Sequence, residues 1–486
     1  MKYSYLTLVL ALSIQAVAQR KMSEQLYSPE LKDTIHFDVL IPTEWAAWDS
    51  TQKHPSIYML SYGVMDEGFL ATEIGYFRRL HYSLPNTLVV NVEAGEEMMG
   101  HSYETGNLNP AGRNLVACIR NEVIPFVTRK YNASFFRTYI GHSQAASYAG
   151  YLFLREPGMF SGYILLAPEK IGPEQPPFHL NDSARAFCNT HTTFFYVGVG
   201  DQDMQRRRDF AREMGTELKT LDSTRCYFHY DSISLADHAN ILPMALELGL
   251  MHVYQLYDPG LEIEGPVTER LQRLGVRLRD VYGLAPERTA PNYQRFAGMA
   301  VQAGDSAGLK AVLAYFYDPG FRGWNLMQYG EYCAQAGLRA QAREYYAQAI
   351  RKILAEEMDK PLGPGNLQCC YWGMAFDICR EDTAAGWAYL QKALALLGQR
   401  YAIPDGSPYL ELGRYAALYH CHVSEGLRDL LTYVRLQGGE ADGTVSLFLG
   451  RNYYWLGDRV NARRYLEYAA AQGSTTAKTW LKEIPN

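Results

Sequence analysis

The feature of this chain that most constrains its fold is an alternation of two kinds of segment between Thr34 and about Tyr257. Short runs rich in β-branched and aromatic residues alternate with stretches whose apolar residues recur at helical spacing. This alternation is typical of a parallel sheet covered by helices, so an α/β domain is predicted. The predicted strands are 34–42, 56–63, 87–95, 136–143, 161–168, 192–201 and 225–231. The clearest predicted helices are 114–131, 144–156, 206–221 and 241–257.

The composition changes after Asp258-Pro259-Gly260, where the strand signals end and a helical domain is predicted. Two stretches of this domain repeat each other at identical offsets. Gly330, Cys333, Gly337, Ala342, Tyr346 and Ala349 in the first match Gly450, Tyr453, Gly457, Ala462, Leu466 and Ala469 in the second. Small residues at these spacings let two antiparallel helices approach closely, and such units bury their apolar faces only by stacking. A short solenoid of three or more units is predicted, with degenerate copies near Phe296 and Leu390.

The first eighteen residues have the composition of an export signal. Lys2 precedes an apolar stretch at 6–14, and small residues stand at Ala16 and Ala18. We predict a secretory signal peptide cleaved before Gln19, which makes the mature protein exported, either periplasmic or secreted. No later apolar run reaches the roughly 18 residues that a membrane-spanning helix needs, so no membrane span is expected.

These patterns divide the chain into four predicted parts. They are a signal peptide at 1–18, an α/β domain at 19–258, a helical linker at 259–289 and a helical repeat domain at 290–486.

Charge and motif content exclude several classes of function. The net charge is −6, which gives no basic footprint for nucleic acid. The eight Cys residues are scattered without the spacing of a zinc site, and no nucleotide-binding loop is found, so neither a metal nor a cofactor is expected. Cys188 and Cys226 flank two predicted neighbouring strands and could pair, but free buried thiols are the favoured interpretation.

A candidate nucleophile lies at Ser143, in the sequence Gly141-His142-Ser143-Gln144-Ala145. It follows a predicted strand and precedes a long predicted helix, which is the setting of a nucleophile elbow. The N-terminus of that helix would point free N–H groups at a developing oxyanion, with the Gln144 N–H as first donor. A second donor is expected from the loop 62–64, with Gly63 as the candidate. An ordinary strand end with a capping serine is the alternative.

The partners that a nucleophilic serine needs follow later strands in the order Ser, acid, His. Asp201 and Asp203 come after the strand run TTFFYVGVG, and His238 comes after the strand 225–231. All three are loop positions at the carboxyl ends of strands, where ligands collect in open α/β sheets. We assign His238 as general base and Asp201 as its orienting carboxylate, with Asp203 as the alternative acid. The other histidines of this domain, His142 among them, are assigned structural or exposed positions.

The α/β region resembles the esterase branch of the α/β-hydrolases, the group that contains enterochelin esterases, feruloyl esterases and S-formylglutathione hydrolase. The resemblance rests on IYMLSYG, TLVVNVEAG, the stretch from NEVIPFVTRKY to SGYILLAP, VGVGDQD and DHANILPMAL. It implies a serine hydrolase of a small-molecule ester, with Ser143 as nucleophile, an acid near Asp201 and His238 as base. The sequence departs from this group at Ala145 and Ala146, where relatives often carry glycines, and in the loop 93–102, which lacks an arginine.

The helical stretches GEYCAQAGLRAQAREYYAQAI and GRNYYWLGDRVNARRYLEYAA resemble tetratricopeptide repeats. That resemblance raises a second functional reading, in which an inactive hydrolase fold serves as a binding module and the repeats dock a protein or peptide partner.

Overall fold

A computed structural model describes residues 20–41, 52–61, 65–81, 84–100, 107–170, 175–258, 264–286, 290–403 and 406–484. The predicted signal peptide and the loop that holds Gly63 lie outside these residues. The chain divides into two compact units, one formed by 1–264 with 270–287 and the other by 265–269 with 288–486.

The first unit is built on an eight-stranded sheet with the order β1-β2-β4-β3-β5-β6-β7-β8. β1 and β2 are antiparallel, β2 and β4 are antiparallel, and the remaining neighbours are parallel. The strands are β1 (Arg20–Ser28), β2 (Asp33–Ile41), β3 (His54–Leu60), β4 (Leu88–Val92), β5 (Ala133–His142), β6 (Gly162–Leu166), β7 (Thr193–Gly200) and β8 (Cys226–Ile233). All seven predicted strands are present, and the mostly parallel sheet confirms the predicted fold class.

β1 is the strand that the sequence prediction missed. It lies at the edge of the sheet, and its side chains are mostly exposed or half-buried. An edge strand has a single hydrogen-bonding neighbour and little apolar surface to bury, so its pattern lacks the apolar run that marks the central strands.

Helices connect the parallel strands and cover the sheet. They are α1 (Glu67–His81), α2 (Pro110–Cys118), α3 (Ile124–Tyr131), α4 (Gln144–Arg155), α5 (Asp182–Cys188), α6 (Gln205–Leu218) and α7 (Ile241–Val253). A π-helical turn at Ile119–Val123 joins α2 to α3 ahead of Pro125, whose missing N–H an unbroken α-helix could not accommodate. α1 and α5 were not among the predicted helices.

Most of the predicted linker 259–289 belongs to the first unit, which corrects its assignment as a connection between domains. Helix α8 (Val267–Arg277) continues into a π-helical turn at Leu278–Tyr282. The fully buried Tyr282 ring packs 4.6 Å from the ring of Phe136 on β5, and its hydroxyl donates to the carbonyl of Val253 at 3.1 Å. This turn therefore completes the core of the α/β unit.

The second unit is a solenoid of helical hairpins, as predicted. Its helices are α9 (Ala290–Gln302), α10 (Ser306–Phe316), α11 (Gly323–Gln335), α12 (Arg339–Glu356), α13 (Gly363–Gly373), α14 (Thr383–Leu394), α15 (Ser407–Tyr419), α16 (Val423–Leu436), α17 (Gly443–Trp455), α18 (Arg459–Ala471) and α19 (Thr475–Glu483). Consecutive helices pack as pairs from α9 with α10 to α17 with α18, and α19 covers the last pair.

The repeated small residues act as the sequence comparison predicts. A Cβ on Gly330 would lie 2.9 Å from the ring of Tyr346, and one on Gly450 would lie 2.6 Å from Leu466, so both hairpins need glycine where their helices cross. Among the described residues, no helix combines the length and the apolar character needed to cross a membrane. All eight cysteines are free thiols, and six of them are buried.

Candidate active site

Ser143 lies at a sharp turn between β5 and α4. Its backbone has φ 57° and ψ −124°, a conformation that residues with side chains rarely adopt. Its N–H donates to the carbonyl of Leu166, at the end of β6, with an N···O distance of 2.9 Å. The neighbouring strand thus holds a strained strand-to-helix turn, which is the geometry that presents a nucleophilic serine.

The first turn of α4 packs tightly against the end of β5. A Cβ on Gly141 would lie 2.7 Å from the carbonyl carbon of Ala145, so only glycine fits before the turn. Ala145 and Ala146 are both fully buried. Because the elbow forms with alanine at these positions, the departure from the glycines of the resembled family does not prevent it.

His238 contacts Ser143 on one side and Asp203 on the other. Its Nε2 lies 3.1 Å from Ser143 Oγ, and its Nδ1 lies 3.2 Å from Asp203 Oδ2. A carboxylate only accepts hydrogen bonds, so Nδ1 carries the hydrogen and Nε2 is free to accept from the serine hydroxyl. The Asp203 side chain is 1% exposed and that of His238 is 31% exposed, so the imidazole lies between a buried carboxylate and the protein surface.

Backbone contacts between the loops after β7 and β8 bring these groups together. A Cβ on Gly200 would lie 2.1 Å from the Ala236 carbonyl oxygen, so glycine is required where the loops cross. The same carbonyl accepts from the N–H of Gln202 at 2.9 Å. His238 lies two residues after Ala236, so this contact brings His238 to the end of β7.

Asp201 occupies a different place, which corrects its assignment as the orienting carboxylate. Its Oδ1 accepts from the N–H of Leu235 at 2.9 Å and from the side chain of Gln202 at 3.1 Å. It therefore braces the loop that carries His238. The alternative acid, Asp203, is the residue whose carboxylate meets the imidazole.

A second carboxylate, which the sequence analysis did not single out, lies beside the serine. Glu169 Oε1 accepts from Ser143 Oγ–H at 3.3 Å, and Glu169 Oε2 accepts from Nε of Arg207 at 2.9 Å. Arg207 also donates to Asp203 Oδ1 at 3.1 Å and is largely buried. One guanidinium thus links the two carboxylates. Asp203 and Arg207 are four residues apart at the start of a predicted helix, and this spacing could have indicated their ion pair from the sequence.

His142, assigned a structural or exposed position from the sequence, is buried against His238. Its Nε2–H donates to the His238 carbonyl at 2.8 Å, and the two ring centroids are 4.4 Å apart. Burial, with a smaller contribution from His238, lowers the pKa of His142 to about 4. The ring is therefore neutral near pH 7 and fixes the backbone of His238.

The N-terminus of α4 lies next to the serine hydroxyl. The N–H of Gln144 belongs to the first turn, where backbone N–H groups have no intrahelical acceptor, and its role as an oxyanion donor stays a prediction. The other predicted donor, Gly63, lies outside the described residues. Among the described residues, no group of His, Cys, Asp and Glu side chains is arranged to hold a metal ion.

A model of the family described as "Putative esterase" matches residues 28–238. The match covers β2 to β8 and runs through Ser143 and Asp203 to His238. Residues 28–238 form an esterase domain. The domain is of the α/β-hydrolase kind, and its family supports a carboxylic ester hydrolase.

Several solved structures are similar to this chain at low sequence identity. An uncharacterised protein from Capnocytophaga ochracea is 17% identical with a TM-score of 0.54, over 68% of this chain and 94% of that one. An IroE-like serine hydrolase from Shewanella oneidensis is 13% identical with a TM-score of 0.49, over 61% and 99%. A siderophore hydrolase from Aspergillus nidulans is 16% identical with a TM-score of 0.40, over 50% and 97%. No curated protein matches the sequence.

Proposed function

We propose that the esterase domain cleaves a carboxylic ester of a small molecule through an acyl-enzyme formed on Ser143. The observation that carries this proposal is the hydrogen-bonded series from Ser143 Oγ through His238 to Asp203, at 3.1 and 3.2 Å. A serine hydroxyl attacks a carbonyl only when a base takes its proton, and a carboxylate on the far nitrogen holds the imidazole in the required tautomer.

In the first half of the reaction, Ser143 Oγ bonds to the ester carbonyl carbon and its proton moves to His238 Nε2. Asp203 stabilises the imidazolium that forms. The carbonyl oxygen becomes negative and is stabilised by the Gln144 N–H at the positive end of α4. The tetrahedral intermediate collapses as His238 protonates the departing alcohol, which leaves an ester between Ser143 and the acyl group.

In the second half, water replaces the alcohol. His238 takes a proton from this water as it attacks the acyl carbonyl, and the same imidazolium then returns a proton to Ser143 Oγ as the acid leaves. Every proton is carried by His238, so the proposed reaction needs no cofactor.

We further propose that the mature protein acts outside the cytoplasm, after cleavage before Gln19, and that its helical hairpins form a tetratricopeptide-like array. The export proposal rests on the charged and apolar pattern of residues 1–18, and the array proposal rests on the two matching stretches of sequence.

Labelling with a fluorophosphonate probe tests the proposed nucleophile. The wild-type protein should form a covalent adduct, and Ser143→Ala should form none while unfolding at the same temperature. Ser183→Ala is the control, at an exposed position on α5, and its adduct should persist. If the wild-type protein forms no adduct under conditions that label a known serine esterase, the proposed mechanism is wrong, and an inactive binding module becomes the better account.

A further inference from the structure

Glu169 is held rigidly at the end of β6 by the first turn of α4. The Ser147 hydroxyl donates to the Glu169 carbonyl at 2.7 Å and accepts from the Glu169 N–H at 2.8 Å. Ser147 is itself 1% exposed, so this backbone clamp lies in the protein interior. The position of the Glu169 backbone is therefore built into the fold.

The two oxygens of the Glu169 carboxylate have different surroundings. Oε2 accepts from Nε of Arg207 at 2.9 Å and from an NH₂ group of Arg206 at 3.1 Å. Oε1 accepts from the Ser143 hydroxyl at 3.3 Å, its one donor among the described residues. The side chain is 16% exposed, so the carboxylate as a whole is shielded from most of the bulk water.

The serine has one hydrogen and two acceptors that compete for it. When the hydroxyl is ready to attack, its hydrogen points to His238 Nε2, 3.1 Å away. After attack, Oγ is an ester oxygen with no hydrogen at all. In both states Glu169 Oε1 loses its donor and faces an electron-rich oxygen, and a largely buried acceptor without a donor is costly.

A substrate that brings its own donor to Glu169 Oε1 removes this cost. The donor must lie close to Ser143 Oγ in the bound ester, which places it on a carbon next to the scissile group. A hydroxyl is the donor that fits an acceptor whose charge is already balanced by Arg206 and Arg207, because an ammonium group would add a third positive charge.

We propose that Glu169 Oε1 is a specificity-determining acceptor that selects esters with a hydroxyl group on the carbon adjacent to the ester group. This inference rests on the proposed acyl-enzyme mechanism and names its substrate class. The hydroxyl lies either on the alcohol part, as in esters of polyols and sugars, or on the acyl part, as in esters of α-hydroxy acids.

Two matched pairs of substrates test the proposal and show whether the hydroxyl lies on the alcohol part or on the acyl part. The pair 2-hydroxyethyl acetate and 2-methoxyethyl acetate places the donor on the alcohol, and the pair ethyl glycolate and ethyl methoxyacetate places it on the acyl group. Methylation removes the hydrogen and keeps the oxygen. We expect wild-type kcat/KM to favour the hydroxyl member of one pair by about tenfold, the difference typical of a hydrogen bond to a charged acceptor.

Glu169→Gln removes the charge at nearly constant shape, and it should reduce that preference to about twofold. Glu156→Gln is the matched control. Glu156 pairs with Arg120 at the far end of α4, and this change should leave the preference as in the wild type. A change in protein stability alone would alter both members of a pair equally, so the ratio isolates the proposed contact.

The outcomes separate this inference from the proposed function. If the wild-type protein hydrolyses both members of each pair within twofold of one another, or if Glu169→Gln keeps the preference, the inference is overturned while the mechanism stands. If the wild-type protein neither hydrolyses 4-nitrophenyl acetate nor reacts with a fluorophosphonate, the mechanism fails and the inference fails with it.

Discussion

Asp201 and Asp203 leave the same strand two residues apart, yet their carboxylates have different partners. Asp203 Oδ2 faces His238, and its Oδ1 accepts from Arg207 and from the N–H of Met204 at 2.7 Å. Asp201 instead accepts from the backbone of Leu235. Both residues serve the same imidazole, one by direct contact and the other by bracing its loop.

Replacing Asp203 with Asn should lower kcat by on the order of 10³ to 10⁴, because an amide can donate to Nδ1 and so favour the wrong tautomer of His238. Asp201→Asn keeps an acceptor for the Leu235 N–H, so its kcat should stay within about threefold of the wild type. Steady-state hydrolysis of a 4-nitrophenyl ester measures both. Equal losses in the two variants would contradict the assignment of Asp203.

His142 should make the protein sensitive to mild acid. Its pKa is about 4 in the folded protein, against an ordinary value of 6.5, and the cause is burial and then the neighbouring His238. Asp203 acts in the opposite direction and Arg207 in the same direction. The unfolded chain binds the proton first, so the stability that depends on neutral His142 is complete above pH 6.5 and is lost as the pH falls towards 4.

We expect the wild-type free energy of unfolding to fall by about 2 kcal/mol more than that of His142→Gln between pH 7 and pH 4.5. Glutamine can still donate to the His238 carbonyl but does not titrate. Urea unfolding of both proteins at both pH values measures this quantity. The contributions of groups that titrate in both proteins cancel in the comparison. Parallel losses in the two proteins would show that His142 does not carry the effect.

At the scale of elements, the site depends on how closely α4 approaches β5. The four site residues Ser143, Glu169, Asp203 and His238 follow β5, β6, β7 and β8 in turn. All four therefore lie at the carboxyl ends of neighbouring strands. Gly141 sets the approach at the first of these positions, because any side chain there would meet the backbone of Ala145.

Gly141→Ala should destabilise the esterase domain by about 2 kcal/mol or more and abolish most activity, because backbone atoms cannot yield to the added methyl group. Gly75→Ala is a control inside α1, where an added Cβ meets nothing within 4 Å. It should stabilise the domain by about 0.5 to 1 kcal/mol through its higher helix propensity. Urea unfolding and ester hydrolysis report on both variants, and a fully active Gly141→Ala protein would refute this account.

At the scale of the whole molecule, the segment 270–287 belongs to the first unit, although 265–269 before it belong to the second. Arg277 Nε donates to the Leu256 carbonyl at 2.8 Å, and Tyr282 packs against Phe136 and Phe194. The segment follows the last strand of the sheet but fills part of its core.

A chain truncated after Glu287 should therefore remain folded and hydrolyse esters, whereas one truncated after Asp258 should lose several kcal/mol of stability. Within the longer fragment, Tyr282→Ala should cost about 3 to 5 kcal/mol. Tyr282→Phe should cost about 1 kcal/mol, because it keeps the ring and loses only the hydroxyl contacts. Comparable urea midpoints for the two truncated chains would show that the segment is a linker after all.

The sequence alone determined the α/β architecture, the elbow at Ser143, the loop that holds His238 and the paired helices of the second unit. Each of these leaves a local pattern, such as an apolar run, a glycine before a turn or a repeated offset. Gly330 and Gly450 are examples, because a Cβ at either position would come too close to a side chain on the next helix.

Only the tertiary structure decided which aspartate meets His238, that Glu169 lies beside the nucleophile, that His142 is buried, and that Tyr282 belongs to the first unit. These facts depend on contacts between loops and helices that are distant along the chain. Asp201 and Asp203 lie two residues apart in the same loop, and the crossing of Gly200 with Ala236 turns one carboxylate towards the imidazole and the other away. A pattern in one segment carries no information about such a crossing, because its position is set by the packing of the whole sheet.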